Sequence, residues 1–273
     1  MTTQTLSAGP PAGPQQESPP PAHIARIPLR RIVVVEMRKS FDTRAGLWLL
    51  VSVGLASVLT SGAVIAWAPD DDFTYSTFTT TIAFPMSVIL PIIAALAVTA
   101  EWTQRSGLTT FTVVPHRGRI MLGKSVALVA VAVPATAAAF VVGAAGNVVG
   151  AWVSGNELVW DQSLVAVPYV GLSLALSLAM GFVCGTVIRS SAGAIVAFFV
   201  LSFVVPPLLG LLAMTQDWFH DVQPWVDLDF QLAALLRGSF DPEQWTQLAA
   251  ASGLWLVLPF VVGMWTLVRS EVK

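Results

Sequence analysis

The basic residues of this chain alternate with its long apolar stretches. Six such stretches run approximately Leu47–Trp67, Ile82–Ala100, Ser125–Val149, Leu164–Ile188, Ala192–Met214 and Leu248–Val268. Each is about 19–25 residues long, enough to cross a hydrocarbon core of roughly 30 Å as a helix. Arg26, Arg30, Arg31, Arg38, Lys39 and Arg44 precede the first stretch, and Arg105, Arg117, Arg119 and Lys124 separate the second from the third. Arg189 separates the fourth from the fifth, and Arg269 and Lys273 follow the sixth. Of the 14 Lys and Arg residues only Arg237 breaks the alternation. The positive-inside rule then predicts that both termini are cytoplasmic, and an even number of spans likewise requires them to lie on one side.

Composition agrees with that reading. Hydrophobic residues make up 55% of the chain and charged residues 11%, outside the usual range for a soluble globular domain. The expected fold is therefore all-α: a polytopic membrane protein of six transmembrane helices occupying 47–273. Residues 1–22, rich in Pro, Gly, Gln and Ser, are expected to be a disordered tail. The tail has no Lys, Arg or apolar core and is not a signal peptide, so the first span is expected to act as an uncleaved anchor.

In residues 23–46, Val34, Met37 and Phe41 recur at helical spacing with Arg31, Arg38 and Lys39 on other faces. This pattern predicts an amphipathic helix in the inner membrane interface, its basic groups near anionic headgroups. On the far side, Asp70, Asp71, Asp72, Glu157, Asp161, Asp217, Asp221, Asp227, Asp229, Asp241 and Glu243 are expected to form a solvated face. The triple Asp lacks the ligand spacing and turn Gly of a calcium loop. The long loop Thr215–Gln247 mixes acids with Trp218, Phe219, Trp225, Phe230, Phe240 and Trp245, a composition suited to short interfacial or re-entrant helices.

No Asp, Glu, Lys, Arg or His lies near the middle of a span, which argues against an ion- or proton-coupled transporter, a pump or a voltage sensor. Pro85, Pro91, Pro134, Pro206 and Pro207 do lie at depth, where each removes a backbone donor. Gly146/Gly150 and Gly181/Gly185 have the spacing that lets helices approach closely. The lone Cys184 is read as a packing residue, and His23, His116 and His220 are scattered, so no metal site, cofactor or catalytic residue is expected.

The segment Glu101–Ser125 is bracketed by Glu101 at the end of the second span and Lys124 at the start of the third, with room for a small helix and a turn at Pro115. Gly118–Ser125 fits the expression GxxxxGK[ST]. A true phosphate loop needs a feeding strand and a surrounding αβ domain, so the match is read as coincidence and ATP hydrolysis is not expected of this chain. With Glu101, Arg105, Gly107, Thr109, Thr110, Pro115, Arg117 and Lys124, the segment resembles the cytoplasmic loop of the permease subunits of type-2 ABC exporters. Glu36, Lys39 and Arg44 before the first span, the six spans and the long last loop extend the resemblance over all but the tail. The spacing from Glu101 to Gly107 is longer than in that family.

The resemblance implies a bacterial plasma-membrane exporter subunit with cytoplasmic termini and no nucleic-acid partner. A separate cytosolic ATPase subunit would dock on the interfacial helix and the 101–124 loop, through Glu36, Lys39, Glu101, Arg105, Gly107, Pro115, Arg117 and Lys124. A second permease copy or paralogue and membrane lipid would complete the surroundings. The competing reading is a non-transporting membrane scaffold or sensor that binds a cytosolic protein.

Overall fold

The computed structural model describes residues 44–103, 117–163 and 165–269, with residues 28, 30, 31 and 33–35 before them. The described residues are helical apart from connecting turns and one isolated parallel bridge, Thr74 to Val159. We number the helices α1 (Arg44–Trp67), α2 (Tyr75–Thr103), α3 (Arg117–Ser154), α4 (Ala166–Ile188), α5 (Ser191–Phe199), α6 (Val205–Thr215), α7 (Asp217–Val226), α8 (Leu228–Leu235), α9 (Pro242–Ser252) and α10 (Leu258–Arg269). Two π segments, Val200–Val204 and Gly253–Val257, join α5 to α6 and α9 to α10 into continuous rods.

Five of these rods are long and apolar enough to cross a membrane: Tyr75–Ala100, Val133–Ser154, Ala166–Ile188, Ser191–Thr215 and Pro242–Thr266. The chain thus has the make-up of a multi-pass membrane protein. Helix α1 is apolar over Val51–Trp67, a shorter stretch than the first span, Leu47–Trp67, expected from sequence. Tryptophans mark the ends. Trp67, Trp152, Trp160 and Trp218 stand exposed at the end that carries the long loop, while Trp48 and Trp265 stand exposed towards the other. Such belts place amphipathic rings at headgroup level. The Arg269 guanidinium lies 4.2 Å from the centre of the Trp265 ring. Of the expected interfacial helix, Arg30, Arg31 and Val33–Val35 are helical and the remainder lies outside the described residues.

Helices α2 and α4 are the central pair. Leu90, Ala94, Val98, Leu174 and Leu178 are buried between them and their neighbours α1 and α3, and a second core joins α4 to α5, α8 and α9 through Cys184, Phe198, Leu235 and Leu248. Their approach depends on glycine. A Cβ on Gly181 would lie 2.0 Å from the Pro91 carbonyl oxygen, and one on Gly185 3.1 Å from that of Ala95. On α3, Gly146 and Gly150 press on Phe78 of α2 in the same way. Both small-residue pairs read from the sequence thus sit at helix crossings.

Several boundaries differ from the sequence expectation. Helix α2 starts at Tyr75, well before Ile82, because Thr79, Thr80 and Thr81 donate their hydroxyls to the carbonyls of Tyr75, Ser76 and Thr77. A threonine run that reads as loop is thereby satisfied inside a helix. Helix α3 starts at Arg117, so Lys124 lies about two turns inside a rod rather than at its opening. The rod ending at Arg269 begins at Pro242, where Asp241 and Gln244 form a reciprocal capping box with proline at the first turn.

Candidate functional site

The acidic loop does not form a uniformly solvated face. Helix α8 packs against α4, with Leu228, Gln231, Ala234 and Leu235 buried. Asp227, expected on the solvated face, is 3% exposed. It caps α8 by accepting from the Phe230 N–H at 3.1 Å, and its other oxygen accepts from Gln223 Nε2 at 3.0 Å. Gln231 donates to the Pro224 carbonyl and to Gln247 Oε1, and the Trp255 indole N–H donates to the Val226 carbonyl at 2.6 Å. These bonds satisfy polar groups that would otherwise oppose burial, so an acid-rich loop can dip into an apolar bundle. Tyr169, Phe240 and Trp245 stack mutually, pinning the far side of the loop to α4.

Asp161 is also engaged. Its carboxylate accepts from the Ser76 N–H at 2.8 Å and from the Ser76 hydroxyl, closing the first turn of α2. An anion there meets the positive end of the helix dipole. Desolvation alone would raise its pKa, but the bonds from Ser76 and Thr74 outweigh that and hold the carboxyl below its usual range. Thr79 and Gln162 bond alongside, and Asn147, fully buried in α3, donates to the Val159 carbonyl at 2.9 Å.

Beneath α8 lies a cavity of about 190 Å³ between α2, α4 and the α5–α6 rod. Its walls include Ala83, Phe84, Ser87 and Val88 of α2, Ser173, Ser177 and Met180 of α4, and Phe198, Leu201, Ser202 and Phe203. Asp227, Asp229, Leu232 and Ala233 border it from the loop, and Trp255 from the last rod. Asp229 borders the cavity and keeps an exposed surface although protein packs closely around it. Burial first, and the neighbouring Asp227 charge second, push its pKa up to about 6.

Both π segments border this cavity, the first through Leu201, Ser202 and Phe203 and the second through Trp255. Each is followed at once by proline: Pro206 and Pro207 after Val200–Val204, and Pro259 after Gly253–Val257. A proline inside a helix withdraws an N–H and crowds the preceding turn, and a wider π turn accommodates that crowding. The Val205 N–H already bonds the Val200 carbonyl, and the two prolines that follow offer no donor. Carbonyls of the 201–203 stretch are therefore left without their helical partners. Pro206 and Pro207 were legible as depth prolines; Pro259, in the same relation to the second π segment, was overlooked.

Of the residues assigned to partner coupling, the described ones are not among those lining the cavity. Glu101 lies in the last turn of α2, and Arg117 opens α3 with Lys124 following it along the same helix. Glu36, Lys39, Arg105, Gly107 and Pro115 lie outside the described residues. The Gly118–Ser125 motif is helical throughout, so the Gly123 and Lys124 N–H groups are inside a rod and not in a phosphate cradle. Near that end, Arg189 adopts a left-handed conformation (φ 57°) and donates to Thr266 Oγ1 at 2.7 Å, tying the α4–α5 turn to α10. Among the described residues no three His, Cys, Asp or Glu side chains converge on a metal-sized site. No protein-family model matches the chain, and no curated protein matches it.

Proposed function

We propose that the chain is the permease subunit of an ATP-driven exporter, embedded in a bacterial plasma membrane with both termini cytoplasmic. In this reading Leu47–Trp67 is a sixth span, the α7–α8 region is a re-entrant element, and a separate ATPase pair docks on the 101–124 segment. A second permease copy or paralogue completes the path. One observation carries the proposal: α2 runs unbroken from Glu101 to the cavity wall at Ser87 and Phe84. That is about 20 Å of helix at 1.5 Å per residue, long enough to carry a push from one end of the bundle to the other. The basic partition of the loops and the resemblance of the 101–124 segment point the same way. None of the expected spans carries a carboxylate of its own near its middle, so in this reading the energy comes from outside, through differential binding of a nucleotide-driven partner to two packings.

Co-expression with candidate ATPases, followed by co-purification and reconstitution, tests this. Glu101→Ala and Arg117→Ala are each expected to lower ATPase stimulation and transport about tenfold while leaving membrane insertion intact. Wild-type stimulation and transport in both variants would refute the coupling role. Stable capture of an ATPase with no transport of any amphipathic compound would instead favour the scaffold reading.

A further inference from the structure

The cavity is rich in hydrogen-bond acceptors and poor in donors. Among the described residues its charged groups are Asp227 and Asp229, and no Lys, Arg or His borders it. Asp227 is spent on Phe230 and Gln223. Ser87 and Ser173 donate to the Phe84 and Leu232 carbonyls. Three kinds of group remain. The Asp229 carboxylate has no hydrogen bond or ion pair among the described residues. Ser177, 6% exposed, and Ser202 likewise have no hydrogen-bond partner among them, and their hydroxyls can accept as well as donate. The third kind is the proline-orphaned carbonyls of the 201–203 turn. The rest of the lining is mostly aliphatic, with aromatic surface from Phe84, Phe198, Phe203 and Trp255.

Unpaired acceptors beside an uncompensated acid, walled by aromatic and aliphatic carbon, define a complementary ligand. It carries positive charge, presents several N–H donors from one point, and has an apolar body. A protonated amine has three such donors and gains charge-assisted bonds of a kind that neutral head groups lack. Aromatic faces add attraction for the same charge. A hard metal ion would be poorly served, since a single free carboxylate and scattered carbonyls fall short of its six to eight oxygens. About 190 Å³ is below the usual volume of a drug-sized pocket, roughly 300–1,000 Å³. The cavity thus encloses a head group and the carbon next to it. Phe84 and Phe203, 63% and 42% exposed, stand where the remainder would pass out to lipid.

We propose that this cavity binds protonated lipophilic amines, with the ammonium between Asp229 and the 201–203 carbonyls and the apolar body leaving past Phe84. The proposal names the substrate class of the exporter reading and rests on it. Its test uses the full chain alone, in phosphatidylcholine nanodiscs at pH 7.5, titrated with dansylcadaverine (cationic) or dansylamide (the neutral counterpart). Saturable binding of dansylcadaverine is expected, about tenfold tighter than dansylamide. Asp229→Asn should weaken the cationic probe about fivefold or more and leave the neutral one unchanged. Ala233→Phe, which places bulk in the cavity from its open side, should weaken both. Equal affinity for the two probes, or wild-type binding in both variants, overturns the proposal. Because no ATPase is present, absence of binding here with ATPase capture and coupling intact in the co-purification experiment refutes the amine site alone, and binding here with no ATPase captured in that experiment refutes the exporter reading alone.

Discussion

Gly181→Ala should separate the two central helices. The added methyl would sit 2.0 Å from the Pro91 carbonyl oxygen and 2.5 Å from the Pro91 carbonyl carbon. Ordinary contact begins near 3.4 Å, so α2 and α4 must part locally by roughly 1.4 Å. The obstacle is backbone inside a helix, which cannot rotate away as a side chain does. A radial gap of that size forfeits about half or more of the dispersion energy of each pair it opens, and Leu90, Ala94, Leu174 and Leu178 share the same core. Overpacking typically costs about 1–3 kcal/mol, and a backbone clash belongs at or above the top of that range. For a chain of this size, about 3 kcal/mol corresponds to a fall in melting temperature of roughly 6–12 °C. Cys184, the single cysteine, is 5% exposed one turn from Gly181, so a thiol-reactive fluorophore reports unfolding at the perturbed crossing. Gly62→Ala is the control: nothing lies within 4 Å of its added methyl, and helix propensity makes it neutral or slightly stabilising. A Gly181→Ala protein that melts within about 2 °C of the Gly62→Ala control would refute the close-contact argument.

Two acids should respond to pH in opposite directions. The Asp161 pKa is lowered in the fold, so its stabilisation is complete above the unfolded value of 3.8 and is lost as pH falls through the lower folded value; Asp161→Ala should cost about 1 kcal/mol at neutral pH, read by tryptophan fluorescence melting, and progressively less in acid. The Asp229 pKa is raised to about 6, so the folded protein takes up a proton before the unfolded chain does, and stability rises as pH falls from above 6 towards 4. Among the described residues Asp227 is the only other titratable group lining the cavity, so Asp229→Asn should abolish that rise; a wild-type pH profile in the variant would contradict the assignment.

Much of the fold was legible because apolar length and glycine spacing report on physics local to a helix. Gly181 and Gly185 lie one turn apart on one face, and such a face permits close approach whatever it meets. The partner of that face, Pro91, was not legible, since crossing points depend on the whole bundle. The threonine run at 79–81 misled because its hydroxyls return to the carbonyls of the preceding turn. Asp227 misled because its burial depends on Gln223 and Phe230, which no apolar count weighs. The Asp241–Gln244 box was readable from the Asp-Pro-x-Gln order and was overlooked. Tertiary folding of the long loop is what created the cavity, so the site emerged only with the structure.

A π turn winds one residue more into a rod than its length requires. Beyond Val204 and beyond Val257, every side chain is about 100° out of phase with a straight α-helix. The surplus residue behaves like a dislocation in a crystal. The prolines that follow hold each surplus residue in place, and both defects open on the same chamber, so the extra residue in each rod decides which side chains beyond it face that chamber.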